Sequence, residues 1–102
     1  MNNTVNWGGY EFDVCSQTAN WNDVGGVYIF AGLNQNGRWR AYYIGQAESL
    51  KDRIPGHERW NEAVRLGATH VHARVVSQAA MRDAIEASLI ASYQPPLNVQ
   101  LK

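Results

Sequence analysis

Residues 42–53 read YYIGQAESLKDR and decide the fold of this chain. Aromatic and β-branched side chains at the start of the stretch are typical of a strand. The charged residues after Gly45 predict a short helical turn over residues 48–53, which Pro55 ends because proline cannot donate a helix hydrogen bond and clashes with the preceding turn. The strand therefore passes directly into a short helix that ends in an arginine.

Residues 26–33 predict the strand that pairs with this stretch, since β-branched and aromatic residues alternate there. Asn36-Gly37 lies between the two strands and is the strongest short hairpin signal. If these two residues form the turn, the predicted pairs are Tyr28 with Gly45, Ile29 with Ile44, Phe30 with Tyr43 and Ala31 with Tyr42. A longer loop with a bulge would shift this register by one residue.

The predicted register sorts the hairpin tyrosines between the two faces of the sheet. Strand side chains alternate, so Tyr28 and Tyr43 share one face as diagonal neighbours, roughly 6 to 8 Å apart at Cβ. Tyr42 is expected on the opposite face, in the core. Gly45, opposite Tyr28, is expected to leave open space above that ring, where water and phosphate could approach.

The rest of the chain predicts one further strand and two further helices. A helix over residues 57–66 is expected to turn Trp60, Ala63 and Val64 inward and to end at Gly67. A strand over residues 70–76 follows, and then a helix from a Ser77 cap to about Tyr93, before Pro95-Pro96. These elements predict an α+β fold, with a small three-stranded antiparallel sheet flanked by helices.

Composition limits the function classes. The 102 residues suffice for one domain, which we divide into an N-terminal arm or extra edge strand (1–24) and a main unit (25–102). Nine basic and nine acidic side chains give no net charge, so a nucleic-acid binder of this kind must concentrate its cations locally. The single cysteine, the lack of a leader-like start and the lack of a long apolar run favour a cytoplasmic protein without a membrane anchor.

Six sites in a fixed order resemble the GIY-YIG nuclease family. They are Gly26-Val27-Tyr28, Tyr43-Ile44-Gly45, Arg53, His57, Glu86 and Asn98, and the similarity spans residues 25–99. Each triplet alone is common in strands, whereas the ordered set is specific. The resemblance implies a domain that cuts phosphodiester bonds with a divalent cation, on a central three-stranded antiparallel sheet surrounded by helices.

The resemblance also implies the role of each residue. Tyr28 and Tyr43 would position and activate the attacking water, and Arg53 and His57 would stabilise the phosphate. Glu86 would bind Mg²⁺ or Mn²⁺, which keeps most of its waters and needs only one or two carboxylates. As further substrate-binding residues we include Lys51 and Asn98, although structural support of the C-terminal tail is the stronger expectation for Asn98.

Each residue also has a simpler structural interpretation. Arg53 could pair with Glu48 or another nearby acid, and Glu86 could form an ion pair with Arg82 one helical turn earlier. Pro55-Gly56 between Arg53 and His57 interrupts the helix, so a bend must bring those two side chains together. The strand histidines 70 and 72 have a spacing that can bind metal, but exposed surface positions are the better expectation for both.

The sequence thus predicts a divalent-metal-dependent endonuclease that hydrolyses phosphodiester bonds in DNA by water attack. One alternative is a catalytically inactive nucleic-acid-binding module of the same fold. Another is a nuclease subunit that needs a partner for recognition, and a homodimer is a further option.

Overall fold

The computed structural model describes residues 3–98, which form five strands and three helices. In chain order these are β1 (Thr4–Trp7), β2 (Tyr10–Cys15), β3 (Gly26–Leu33), β4 (Trp39–Ala47), α1 (Leu50–Arg53), α2 (Trp60–Leu66), β5 (His70–Val75) and α3 (Ala79–Tyr93). The predicted α+β class is confirmed. No helix within the described residues is long and apolar enough to cross a membrane.

The sheet contains five strands instead of the predicted three, in the order β1-β2-β5-β3-β4, and all neighbours are antiparallel. The two additional strands come from the segment predicted as an arm or edge strand. Gly8 and Gly9 both have positive φ, at 57° and 94°, and form the tight turn between them. β2 then pairs with β5, for example Val14 with His72.

The register of β3 and β4 agrees with three of the four predicted pairs. Ala31, however, pairs with Ala41, so the expected pair with Tyr42 is wrong. The Asn34 amide donates to the Arg38 carbonyl (2.8 Å), and the turn between them holds three residues, with Gly37 at φ 75°.

The third residue of that turn shifts the pairing of β3 and β4 by one residue. A bulge at Tyr42 in β4 then restores the predicted pairing from Phe30 onward. Tyr42 consequently packs in the same cluster as Tyr28 and Phe30, and its predicted position on the opposite face is wrong.

The sheet separates two apolar clusters. α3 covers one face, where Ile85 and Leu89 pack on Ile29 and Ile44. α1 and α2 cover the other face, where the core residues are Tyr28, Phe30, Tyr42, Leu50, Ile54, Ala63, Ala68, Val71 and Ala73. The catalytic tyrosines predicted from the sequence thus lie under the two short helices.

Some details of the helices differ from the prediction. Val64 is 46% exposed, so Ala63 is the buried residue of α2, and Gly67 ends that helix as expected. The N-cap of α3 is Gln78, and its side chain makes no capping hydrogen bond; the Ser77 cap is therefore wrong. The helix ends at Tyr93, as predicted.

His72 is fully buried, which contradicts its predicted exposure. Its Nδ1 accepts a hydrogen bond from the Trp7 indole nitrogen at 2.8 Å, and the Trp39 ring packs edge-on 4.4 Å away. The additional strand β1 supplies Trp7. A strand histidine thus became a core residue because the N-terminal hairpin covers it.

Candidate active site

Tyr28, Tyr43 and His57 form one aromatic cluster on the α1 side of the sheet. The ring centroids of Tyr28 and Tyr43 are 6.3 Å apart, and that of His57 lies 5.2 Å from Tyr43. A bend at Gly56, with φ 71°, brings His57 into place, and the His57 amide donates to the Ile54 carbonyl at 3.1 Å. The interruption at Pro55-Gly56 thus supplies the bend that the site requires.

The hydrogen bonds of His57 define its tautomer. Burial lowers its pKa to about 4, so the ring is neutral at pH 7. Nδ1 accepts the backbone N–H of Arg59 at 3.0 Å, and a neutral imidazole that accepts at one nitrogen carries its proton on the other. Nε2–H therefore donates to the Tyr28 hydroxyl oxygen, 2.8 Å away.

Tyr28 lies across Gly45, its partner in β4. A Cβ at position 45 would be 2.5 Å from the Tyr28 hydroxyl oxygen, so any other residue there would displace the ring. The space above Gly45 is filled by that ring, and the expected opening for water and phosphate is wrong. Tyr28 is only 1% exposed, and burial, followed by the nearby Tyr43, raises its pKa, while Arg53 opposes that rise.

Arg53 is paired with Glu58, not with Glu48. Its Nη1 and Nη2 donate to the two carboxylate oxygens of Glu58 at 2.7 and 2.8 Å. This bond lowers the pKa of Glu58 to about 2. The pair is open to solvent, with 38% of the Arg53 side chain and 64% of the Glu58 side chain exposed, so it is weak enough for another anion to displace.

If Arg53 binds the phosphate as predicted, replacing Glu58 by Gln should tighten substrate binding. Exposed ion pairs contribute about 0.2 to 1 kcal/mol, so release of Arg53 predicts a KM for DNA lower by a factor between about 1.4 and about 5, with kcat unchanged. Steady-state cutting assays measure both constants. Glu62→Gln, which removes a similar ion pair to Arg59 in α2, is the control and should leave KM unchanged. An unchanged or higher KM for Glu58→Gln would show that Glu58 does not compete with the substrate.

Glu86 lies half-buried in α3, and the alternative interpretation, an ion pair with Arg82, is absent. Among residues 3–98, no lysine or arginine forms an ion pair with its carboxylate. The Gln46 amide nitrogen lies 3.4 Å from Oε1 of Glu86 and also donates to Asp83. Burial raises the pKa of Glu86, the Gln46 hydrogen bond lowers it, and the Asp83 charge raises it.

This donor set fits a hydrated divalent cation. Within the described part of the chain, no three His, Cys, Asp or Glu side chains lie together in a way that could enclose a metal ion. Mg²⁺ retains several waters and binds through one or two carboxylates, so the free carboxylate of Glu86 suffices. Both Glu86 and Arg53 lie near enough to Tyr28 and Tyr43 to shift the pKa of each hydroxyl, in opposite directions.

The two remaining predicted residues differ in their contacts. Asn98 bonds β4 with both ends of its amide: Oδ1 accepts the Ile44 N–H at 2.7 Å, and Nδ2 donates to the Ile44 carbonyl at 2.8 Å. This geometry matches structural support for the strand that carries Tyr43. Lys51 is exposed on α1, and its ammonium forms no ion pair with any residue between 3 and 98. Binding of substrate by either residue stays a prediction.

Sequence reasoning missed Glu58, Gln46 and Asp83 as neighbours of the site. Gln46 follows Gly45 directly, and the alternation of strand side chains places it on the face that α3 covers. This alternation could have predicted that Gln46 lies near Glu86. Asp83 precedes Glu86 by three residues and shares its helix face. Glu58 gave no signal, because only the bend at Gly56 brings it to Arg53.

Acid should destabilise the folded chain through its two buried histidines. Burial lowers the pKa of both His57 and His72 from 6.5 to about 4. Between those pH values the unfolded chain binds more protons than the folded one, so stability falls as pH drops, by about 1.4 kcal/mol per pH unit for each histidine. The lowered pKa of Glu58 adds to this loss only below about pH 4.5, at the acidic end of the window.

Urea unfolding at several pH values between 7 and 4 measures this slope. His72→Gln should remove about half of it, whatever its effect on stability at pH 7. His70→Gln, on the same strand, is the control and should reduce the slope far less, because burial is the larger cause of the low His72 pKa and the His70 charge the smaller one. A slope that His72→Gln leaves unchanged would contradict a neutral, buried His72.

Comparison with known proteins finds chains of similar sequence and fold. No protein-family model matches the chain. The UvrABC system protein C of Methanothermobacter thermautotrophicus is 31% identical over 85 residues, which cover 78% of this chain but only 14% of that protein. The chain therefore spans a small part of its curated relative.

The chain covers a larger share of the similar solved structures than of that relative. The GIY-YIG N-terminal endonuclease domain of UvrC from Thermotoga maritima, bound to magnesium as its catalytic divalent cation, superposes with a TM-score of 0.64 and 28% identity. The match covers 78% of this chain and 89% of that domain. A point mutant of the same domain gives a TM-score of 0.65, 27% identity and coverages of 79% and 89%.

The fold and the site together define a small α+β nuclease domain, in which a tyrosine pair and a histidine share one sheet face with an arginine and a carboxylate nearby. The chain is similar in fold and sequence to the GIY-YIG endonuclease domain of UvrC, which supports a GIY-YIG nuclease domain.

Proposed function

We propose that this chain is a divalent-cation-dependent endonuclease that hydrolyses phosphodiester bonds in DNA by attack of an activated water. One observation carries the proposal: the buried Tyr28 hydroxyl accepts a hydrogen bond from a neutral His57, while Arg53 and Glu86 both act on it electrostatically. A tyrosine that only packs in the core requires no such arrangement of charges.

Glu86 would hold the cation, Mg²⁺ or Mn²⁺. When bound, this ion supplies Lewis acidity and neutralises charge on the leaving oxygen. Glu86 suits the role because its carboxylate is half-buried and free of chain cations among residues 3–98. The magnesium bound to the solved UvrC domain of Thermotoga maritima supports the choice of ion.

Tyr28 and Tyr43 would position the attacking water. Tyr28 would accept the proton of that water as phenolate, after its own proton has passed to solvent. The Nε2–H of His57 favours the ionised form of Tyr28, because it donates to the oxygen that becomes negative. Burial works against ionisation, so Tyr28 keeps its proton in the free protein. His57 is therefore a donor that supports Tyr28, and its low pKa argues against a role as a cationic phosphate ligand at pH 7.

Arg53 would stabilise the phosphate. Phosphoryl transfer develops charge on the non-bridging oxygens, and a guanidinium offers two parallel donors of fixed charge. Arg53 already presents this fork to the Glu58 carboxylate, which has the planar, anionic shape of two phosphate oxygens. DNA would then replace Glu58.

Recognition of DNA would involve a partner or another part of a longer protein. The chain has no net charge, and non-specific DNA affinity requires excess cations. The UvrABC system protein C, of which the chain spans 14%, belongs by its name to a system of several proteins. Protein partners are thus part of the proposal. The cytoplasmic location stays a prediction.

A cutting assay tests the proposal. Purified protein incubated with single- and double-stranded DNA in Mg²⁺ or Mn²⁺ should produce fragments, and EDTA should abolish them. Binding that weakens steeply with salt but leaves the DNA intact under all conditions would instead support the inactive binding module.

A further inference from the structure

Arg82 is a buried arginine beside the proposed metal ligand. Only 5% of its surface is exposed. Its Nη1 donates to the carbonyl oxygens of Val76 (3.0 Å) and Ser77 (2.9 Å). Gly25 leaves space for the Arg82 guanidinium, because a Cβ at position 25 would overlap Nη1. Within residues 3–98 no carboxylate forms an ion pair with this guanidinium, although a buried charge normally requires a compensating partner.

Gln46 connects this cation to two carboxylates. Its Oε1 accepts from Nε of Arg82 at 3.3 Å, while its Nε2 donates to Asp83 and lies 3.4 Å from Glu86. A guanidinium can only donate and an ionised carboxylate can only accept, so a single amide orientation satisfies both neighbours. The buried backbone contacts of Arg82 fix that orientation.

We propose that Gln46, fixed by Arg82, is a positioning residue that holds the Glu86 carboxylate in place for the divalent cation. This inference rests on the proposed function. Side chains that hydrogen-bond a metal ligand orient it, and their substitution typically lowers metal affinity about 10- to 100-fold. Gln46 lies on β4 and therefore restrains Glu86 from outside the helix that carries it. The same Gln46 amide nitrogen also donates to Asp83, which lies on the same helix as Glu86.

Gln46→Met provides the direct test, because methionine matches glutamine in length and cannot form any of the three hydrogen bonds. Titration of the purified protein with Mn²⁺ alone, followed by electron paramagnetic resonance, should give a Kd at least about tenfold higher than in the wild type. Cutting should require correspondingly more Mn²⁺, and kcat at saturating Mn²⁺ should return to near the wild-type value. A residue with a merely structural role would not give this recovery.

Gln78→Met is the matched control. Gln78 lies at the start of α3, the helix that carries Glu86, and its side chain makes no capping hydrogen bond. This variant should bind Mn²⁺ as the wild type does. Gln46→Asn, one methylene shorter, cannot reach both Arg82 and the carboxylates, so it should weaken Mn²⁺ binding in the same direction. It also provides a second test if Gln46→Met folds poorly.

The outcomes separate this inference from the proposed function. If the wild type binds Mn²⁺, Glu86→Gln does not, and both Gln46 variants bind as the wild type does, the positioning role is wrong and the proposed function stands. If Glu86→Gln binds Mn²⁺ normally, the metal assignment itself is wrong, and the role of Gln46 with it.

Discussion

Glu86→Gln should abolish DNA cutting while the fold stays intact. The substitution keeps the size of the side chain and its place beside Gln46 but removes the charge that would bind the cation. A bound cation contributes several kcal/mol to the transition state, and each 1.4 kcal/mol or so is a factor of ten in rate, so we expect a loss of at least about a thousandfold.

Cutting rates and Mn²⁺ titrations of the same preparation measure this prediction. Glu11→Gln, an exposed position on β2, is the control; that strand is separated from β4 by β5 and β3. Its rate should equal that of the wild type. Normal cutting by Glu86→Gln would place the cation elsewhere on the chain.

Arg53→Ala is the second substitution with a large expected effect. Loss of a fixed donor to the charge that develops in the transition state typically costs about 10²- to 10³-fold in kcat. The expected cost in stability is below about 1 kcal/mol, because the ion pair with Glu58 is exposed to solvent. A large loss of rate with little loss of stability would mark Arg53 as a residue that acts on the reaction.

Arg53→Lys refines this prediction, since lysine keeps the charge and loses the two parallel donors. We expect a rate between those of Arg53→Ala and the wild type. Arg65→Ala, an exposed arginine near the end of α2, should cut normally. If Arg53→Ala cut at the wild-type rate, the pair with Glu58 would be the whole role of Arg53.

The sequence was most informative where local rules act. A two-residue turn at Asn36-Gly37 predicted that Tyr28 faces Gly45, and the structure has that pair because the bulge at Tyr42 cancels the third residue of the actual turn. The register failed beyond Phe30, because the turn holds three residues and a bulge at Tyr42 compensates for the third. The length of such a turn depends on the twist of both strands, and Asn36-Gly37 fits either length.

Long-range contacts could not be predicted from local patterns. His72 is buried under the N-terminal hairpin, where it accepts a hydrogen bond from the Trp7 indole. Trp7 lies 65 residues earlier in the chain, so no local pattern links the two. Arg82 and Glu86 have the spacing of a helical ion pair, yet Gly25 and Gln46 provide Arg82 with a buried site instead. In both cases, tertiary packing decided which of several possible partners the side chain contacts.

A crystal structure of the wild-type protein with Mn²⁺ and a short DNA oligonucleotide tests the central claim most directly. Anomalous scattering should place one Mn²⁺ on the Glu86 carboxylate, with a phosphate of the DNA on the Arg53 guanidinium, near the Tyr43 hydroxyl, and Glu58 displaced. A manganese ion or a phosphate bound on another face, with Arg53 still paired to Glu58, would contradict the account.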